Sequence, residues 1–446
     1  MSRTWRIVLL VGITGILAGL AVWWALPWMI GALPGRVQQQ LPPRILALAS
    51  TPLPTALPAP TAVAGQPTRR IIIPTLPPPT ATATLPPAVS PTRQPTNEPT
   101  MPATLTATPT PSATPLPPSV RLSDLEITPQ KFNNCGPTNL SIVLRYYGLP
   151  DDQFDVAAVV RPTYEDRNVS PEELAAYVDE HTDLRTAVFR GGDLDILKRL
   201  LAAGYPVIVE KGLLPSEWEG WMGHYLTLVG YDDAAQAFIG LDTFLGPWDS
   251  SGRAESYETV ADYWAHFNNT FLVVYPPEGE NEIAALVGET LVDPLLMWQH
   301  AAEQAQRQTI TAPDDAFAWF NLGSSLTRLG ALTGQASYYE NAAAAFDQAR
   351  TAGLPWRMLW YQFEPYEAYL GNGRYDDVLT LTSATLQSSG GQFVEETYLY
   401  RGYALLALGN VADAKTAWEQ TLAIKPGQPQ ASQALSTLAN SGAPVE

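Results

Sequence analysis

Four hydrophobic rhythms follow one another along the 446 residues. From Ile7 to Pro34 the chain is apolar and carries no charge, a run long enough for a helix that spans a bilayer. Between 51 and 118 there is no rhythm. Pro, Thr and Ala dominate, large apolar side chains are few, and such a segment cannot build a core. After Cys135, Leu140, Val143, Leu144 and Tyr147 recur at helical spacing and predict a helix with Pro137 in its first turn. Ser170-Pro171-Glu172-Glu173 reads as the capped start of a second helix, and Asp193 to Ala203 as a third that ends at Gly204. Strands come later: Pro206 to Glu210, His224 to Tyr231 and Ala237 to Asp242, the last two joined by a short polar turn as in a hairpin. Helices first and strands later predict an α+β domain.

Composition divides the chain further. A length of 446 residues exceeds what one core fills, so several modules are expected. The boundaries read as a membrane anchor over 1–34, a disordered Pro/Thr/Ala-rich stalk over 35–120, a catalytic module over 121–278 and helical repeats over 279–446. Trp23, Trp24 and Trp28 resemble interfacial anchors, and Arg3 and Arg6 precede the apolar run. The expected topology is a single pass in the cell membrane, with a cytoplasmic N-terminus and the bulk of the chain extracytoplasmic. A secretory signal peptide is the competing reading of the same run. The net charge is −18, yet residues 1–120 hold seven arginines against Glu98 alone and are basic. The folded part is therefore strongly acidic, which excludes nucleic acid as its partner. A single cysteine excludes both an intramolecular disulfide framework and a cysteine-based zinc cluster.

That cysteine is the candidate for chemistry. Cys135 stands in Gln130-Lys-Phe-Asn-Asn-Cys-Gly-Pro137 at the start of a helix, where unpaired amides stabilise a thiolate. The hairpin supplies partners. With its turn centred near Asp233, His224 and Asp242 should lie directly opposite one another. His224 shares strand parity with Leu226 and Leu228, which should then face the Cys135 helix. The expected roles are Cys135 as nucleophile, His224 as base and Asp242 as the group that orients the imidazole, with Gln130 and the Cys135 amide as oxyanion donors. Asn133 and Asn134 shape the loop, and Trp218 and Trp221 either line the cleft or pack the loop before His224. His181, His266 and His300 lack ligand spacing, so no metal site is expected.

The Gln-Lys-Phe-Asn-Asn-Cys-Gly-Pro-Thr segment, Gly223-His-Tyr-Leu-Thr-Leu-Val-Gly-Tyr-Asp and the later Gly-Leu-Asp resemble the papain-like cysteine peptidases related to the bacteriocin-processing, double-glycine leader peptidases. The resemblance covers roughly 123–277. It implies a papain-like fold, thiol hydrolysis of peptide bonds without a cofactor, and a match of Cys135, His224, Asp242 and Gln130 to the family's functional positions. Gln130 stands five residues before the cysteine, where six is usual.

Further on, Gly402, Ala414, Trp418 and Pro426 match the Gly, Ala, aromatic and Pro positions of a tetratricopeptide (TPR) repeat. Trp319, Leu322, Gly323, Ala342, Phe346 and Ala349 read as a second unit, and Tyr366, Gly371 and Tyr375 as a degenerate third. Stacked units form a concave surface that either binds a protein or spaces the catalytic module. The whole reads as a membrane-anchored extracytoplasmic thiol peptidase acting on a peptide or protein, with a TPR-like domain that recruits a protein partner or the substrate. An inactive peptide-binding or TPR adaptor protein is the alternative, as is a thiol amidase or acyltransferase that uses the same residues.

Overall fold

The computed structural model describes residues 19, 21–26, 29–30, 56–60, 71, 115–216 and 219–440. Most of the expected span and stalk, and Trp218, lie outside them; among the described residues no helix is long and apolar enough to cross a membrane.

The first region opens with β1 (Ser119–Arg121), α1 (Cys135–Tyr146), α2 (Gln153–Val160), α3 (Pro171–His181), β2 (Arg185–Phe189) and α4 (Leu194–Ala202). It continues with β3 (Val207–Leu213), β4 (Met222–Asp232), β5 (Ala237–Leu241), β6 (Arg253–Ser256), α5 (Tyr257–Ala265) and β7 (Phe271–Tyr275). The strands form one seven-stranded sheet in the order β2-β7-β3-β4-β5-β6, with β1 also paired to β4. Every pairing is antiparallel. Helix starts follow from local chemistry. The Ser170 hydroxyl accepts from the Glu173 amide while the Glu173 carboxylate accepts from the Ser170 amide, and the Asp193 carboxylate caps α4.

Both faces of the sheet are covered. On one, Leu140, Val143 and Leu144 of α1 pack on Ile208, Tyr225, Leu272 and Val274. On the other, Leu226, Leu228, Val207 and Val209 meet Leu197, Leu200 and Leu201 of α4 and Trp264 of α5. Each such buried leucine contributes about 1.5–3 kcal/mol. Here the parity expectation fails. Leu226 and Leu228 face α4 and α5, whereas the Cys135 helix lies against Tyr225 and Thr227.

The hairpin register also differs from expectation. Asp232 pairs with Ala237, which centres the turn after Asp233, and a bulge between Leu228 and Gly230 shifts the register again, so Thr227 pairs with Leu241. Residue 242 therefore lies past the end of β5 and not opposite His224, whose strand partner is Lys211 on β3.

The second region is helical: α6 (Glu280–Val287), α7 (Glu289–Val292), α8 (Pro294–Thr311), α9 (Ala316–Thr333), α10 (Ala336–Ala352), α11 (Glu364–Gly371), α12 (Tyr375–Gln387), α13 (Glu395–Ala407), α14 (Val411–Ile424) and α15 (Pro429–Asn440). Small residues admit large rings at its helix contacts. A Cβ on Gly402 would lie 2.3 Å from Trp418, and one on Gly323 would lie 2.7 Å from Phe346. This region is bolted to the sheet domain. Asn321 Nδ2 donates to Ala265 O (2.7 Å), Asn268 Nδ2 to Ser325 Oγ (2.9 Å) and Gln362 Nε2 to His266 O (3.1 Å), and the His266 ring stacks on Phe317.

Candidate active site

Cys135 is the first residue of α1, half-buried, with Asn134 at the N-cap. Asn134 makes no capping bond. Its side chain instead accepts from Arg161 (2.6 Å) and donates to Gln153 (3.3 Å), which holds the loop before the thiol. Asn133 adopts a positive φ of 55° and donates to Asp166 O.

His224 is buried on β4, and its Nε2 donates to Asp242 Oδ1 at 3.1 Å. Direct opposition is not required for this bond, because a diagonal neighbour across an antiparallel pair lies within reach of a long side chain. The same Oδ1 accepts from the amides of Phe244 (2.9 Å) and Leu245 (2.8 Å), so the turn after β5 orients the carboxylate. β5 stops at Leu241, opposite Thr227, so it leaves the edge of β4 uncovered beside His224. There the imidazole and the Cys135 thiol line the same small pocket, despite the parity of His224 with Leu226. With Nε2 committed to Asp242, Nδ1 is the nitrogen that serves the sulfur.

The electrostatics follow from this arrangement. Burial opposes a charged ring, yet the Asp242 carboxylate and the bonds from Asp242 and Cys135 raise His224 to about 9. Burial likewise opposes ionised Asp242, but His224, the Leu245 amide and Lys211 hold it down at about 2. An imidazolium-carboxylate pair is thereby favoured beside the thiol.

Gln130 is held from the other side. Its amide donates to Thr243 O (2.9 Å) and its Oε1 accepts from Thr243 Oγ1 (2.8 Å), so its Nε2 is the end left to donate. Thr243 follows Asp242 in the chain, and Gln130 is thus registered to the His–Asp pair.

Two residues at this site were not legible as functional. Asn139 is fully buried; its Nδ2 donates to Cys135 O (2.8 Å), Tyr225 O (3.0 Å) and Thr243 Oγ1 (3.3 Å), and its Oδ1 accepts from Thr227 (2.7 Å). One amide therefore locks the Cys135 helix to the strand of His224 and to the turn after Asp242. The available signal was an asparagine four residues after Cys135, on the same helix face and inside an apolar stripe. Tyr361, from the helical region, sets its ring against Gly223 and lines the thiol pocket. Nothing near it in sequence announces this. The pocket is small, about 20 Å³, and Gly223 is needed there because a Cβ would lie 2.8 Å from Phe267 and 2.9 Å from Tyr361. Trp221 packs the loop: it sits among Phe267, Phe317 and Tyr361 and donates to His266 Nδ1 (3.0 Å).

Residues 120–272 match the Peptidase_C39 like family. Among solved structures, a C39-like protein from Bacillus anthracis is 17% identical, with 35% of this chain and 96% of that chain covered and a TM-score of 0.29. The peptidase domain of Streptococcus ComA, a bifunctional ABC transporter of a quorum-sensing pathway, is 16% identical, with 34% and 99% covered and a TM-score of 0.28. Xylellain, a cysteine protease from Xylella fastidiosa, is 17% identical, with 36% and 87% covered and a TM-score of 0.26. No curated protein matches the chain. The family match gives a papain-like, C39-type cysteine-peptidase domain, and a largely helical region follows it.

Proposed function

We propose that this chain is a membrane-anchored, extracytoplasmic cysteine peptidase that cleaves a peptide or protein substrate, and that its helical region is a TPR-like array that presents the substrate or a partner. The observation that carries the reading is a buried imidazole-carboxylate pair that shares one small pocket with a thiol at the start of a helix. The proton shared by Cys135 and His224 rests on the imidazole, and the Cys135 sulfur attacks the scissile carbonyl carbon. The tetrahedral oxyanion is met by the Cys135 amide and Gln130 Nε2, and the C–N bond breaks as His224 returns the proton to the leaving amine. Water, activated by the same imidazole, then hydrolyses the thioester, releases the acid and restores the thiol. Asp242 keeps the imidazole in the tautomer this sequence needs.

Gly402 against Trp418 and Gly323 against Phe346 support the repeat assignment, because a close approach at a glycine is what such units use. Anchoring rests on the uncharged run Ile7 to Pro34.

The test is the pH dependence of Cys135 alkylation in the full chain beside His224→Ala, followed by product analysis on a peptide library. Rapid alkylation at neutral pH, lost in the variant, is the expected result. Slow alkylation that the variant leaves unchanged would reject an active enzyme, and products of acyl transfer without free acid would reject a peptidase.

A further inference from the structure

Next to the small thiol pocket lies a cavity of about 680 Å³, and Glu210 and Tyr361 line both. The sheet domain contributes Glu172, Glu173 and Glu210 to its walls, and the helical region contributes Glu364, Glu367, Glu395 and Glu396. Against these seven carboxylates stand three cations, all engaged. Arg190 meets Glu172 at 2.6 Å, Arg328 meets Glu364 at 2.8 Å and Glu367 at 3.2 Å, and Lys425 meets Glu173 and, at 3.2 Å, Glu395.

The carboxylates are in excess and incompletely bonded. Glu395 is 1% exposed, yet its Oε2 is buried without a hydrogen-bond partner, and the same holds for Oε2 of Glu364 and Glu396. Burial, reinforced by neighbouring carboxylates, pushes both the Glu395 and Glu396 carboxyls upward. A cation that entered would relieve this cost by bonding oxygens that now lack a donor. Trp298, Phe363 and Tyr400 add aromatic surface to the lining, which suits a guanidinium or ammonium group. Among the described residues no group of His, Cys, Asp and Glu is arranged to hold a metal ion, so the cavity fits an organic cation.

We propose that this cavity is the specificity pocket of the peptidase and receives arginine or lysine side chains of the substrate close to the scissile bond. The proposal rests on the peptidase reading of Cys135 and names its substrate class as basic peptides. It also gives the helical region a direct part in selection, because four of the seven carboxylates come from there.

The test uses the full chain carrying Cys135→Ala, so that bound peptide is not turned over. The probes are fluorescein-labelled octapeptides of one sequence, with two positions as arginine, lysine or uncharged citrulline. The arginine and lysine probes should bind at least about tenfold more tightly than the citrulline probe. Glu396→Gln should remove most of that preference, whereas Glu258→Gln, at an exposed position on α5, should leave it intact. Equal binding of charged and citrulline probes overturns the proposal. So does an equal response to the two substitutions, which would mark long-range attraction to an acidic chain. If Glu396→Gln lowers the Tm, the comparison of probes on the unaltered cavity decides. Alkylation of Cys135 in the native chain separates the two readings. A reactive thiol with no charge preference rejects only the pocket, and a charge preference beside an inert thiol supports the pocket while it rejects the peptidase.

Discussion

The sheet domain and the helical region bury polar atoms in opposite ways. Around Cys135 the polar groups are bonded to one another in a dense network, with Asp242 Oδ2 left as a buried oxygen that has no partner. Asn139 spends its amide on Cys135 O, Tyr225 O, Thr243 and Thr227, while Asp242 Oδ1 gathers His224 and two backbone amides. In the helical region glycine against Trp418 or Phe346 makes apolar helix contacts, Arg350 and Arg374 pair with Asp347 and Asp377, and the cavity wall gathers carboxylates of which three buried oxygens have no donor. A densely bonded network holds groups in fixed positions and suits bond-making. An incomplete one is a receptor, because its cost is relieved only when something binds.

The widest gap should appear with Cys135→Ala. Peptide hydrolysis measured as kcat/KM should fall at least about a thousandfold, with the Tm of the chain unchanged. Retained activity would mean that the chemistry is not in the sheet domain.

Next comes Asn139→Leu, which strips donors from three acceptors at once and should destabilise the chain by about 3 kcal/mol or more in urea unfolding, with slower Cys135 alkylation. Gly402→Val sharpens the contrast. Its added carbons meet Trp418 and should cost about 1–3 kcal/mol, but alkylation of Cys135 in the folded fraction should keep its rate. If both variants slow alkylation equally, the two regions do not divide the work as described.

The chain has only four histidines, so ring titration by NMR can resolve them. His224 should titrate near 9, and His266, where burial and then Lys211 oppose charge, near 4. In Asp242→Asn, His224 should drop below its ordinary 6.5, since burial then acts with no carboxylate against it. The folded-state value of His224 is raised, so its share of stability is complete below 6.5 and is lost as pH rises through about 9. The value of Asp242 is depressed, so its share is present above 3.8 and is lost as pH falls through about 2. The pair contributes fully between 3.8 and 6.5, so the stability lost in Asp242→Asn should be greatest there, and a loss that peaks elsewhere would contradict the assigned geometry.

The smallest effect belongs to Tyr361→Phe, which removes one hydroxyl between the two regions. Tyr361 lines the thiol pocket, and loss of a polar group worth about 1 kcal/mol there should lower kcat/KM about fivefold, mainly in KM.

Much of this was legible in local runs of sequence. Cys135 begins a helix because Gly136 and Pro137 fit its first turn and the stripe from Leu140 to Leu144 requires a helix to be buried on one face. Ser170 caps its helix through the Glu173 amide three residues away. The hairpin was legible in kind but not in register, since one bulge at Val229 and a later turn moved every pairing. The expectation that Leu226 and Leu228 face the Cys135 helix failed for a related reason: His224 reaches the thiol pocket where β5 has ended, so its side does not fix theirs.

What the sequence by itself determined is therefore whatever depends on neighbours a few residues apart: the thiol at a helix start, the caps, the strands, and an acidic folded part beside a basic apolar leader. What only the tertiary structure decided is which distant groups share a space. Tyr361 beside Gly223, Asn139 between three segments, and Glu210 at the meeting of two cavities all depend on how the helical region docks on the sheet domain. Such docking is set by many weak contacts summed over a surface, and no short run of residues carries that sum.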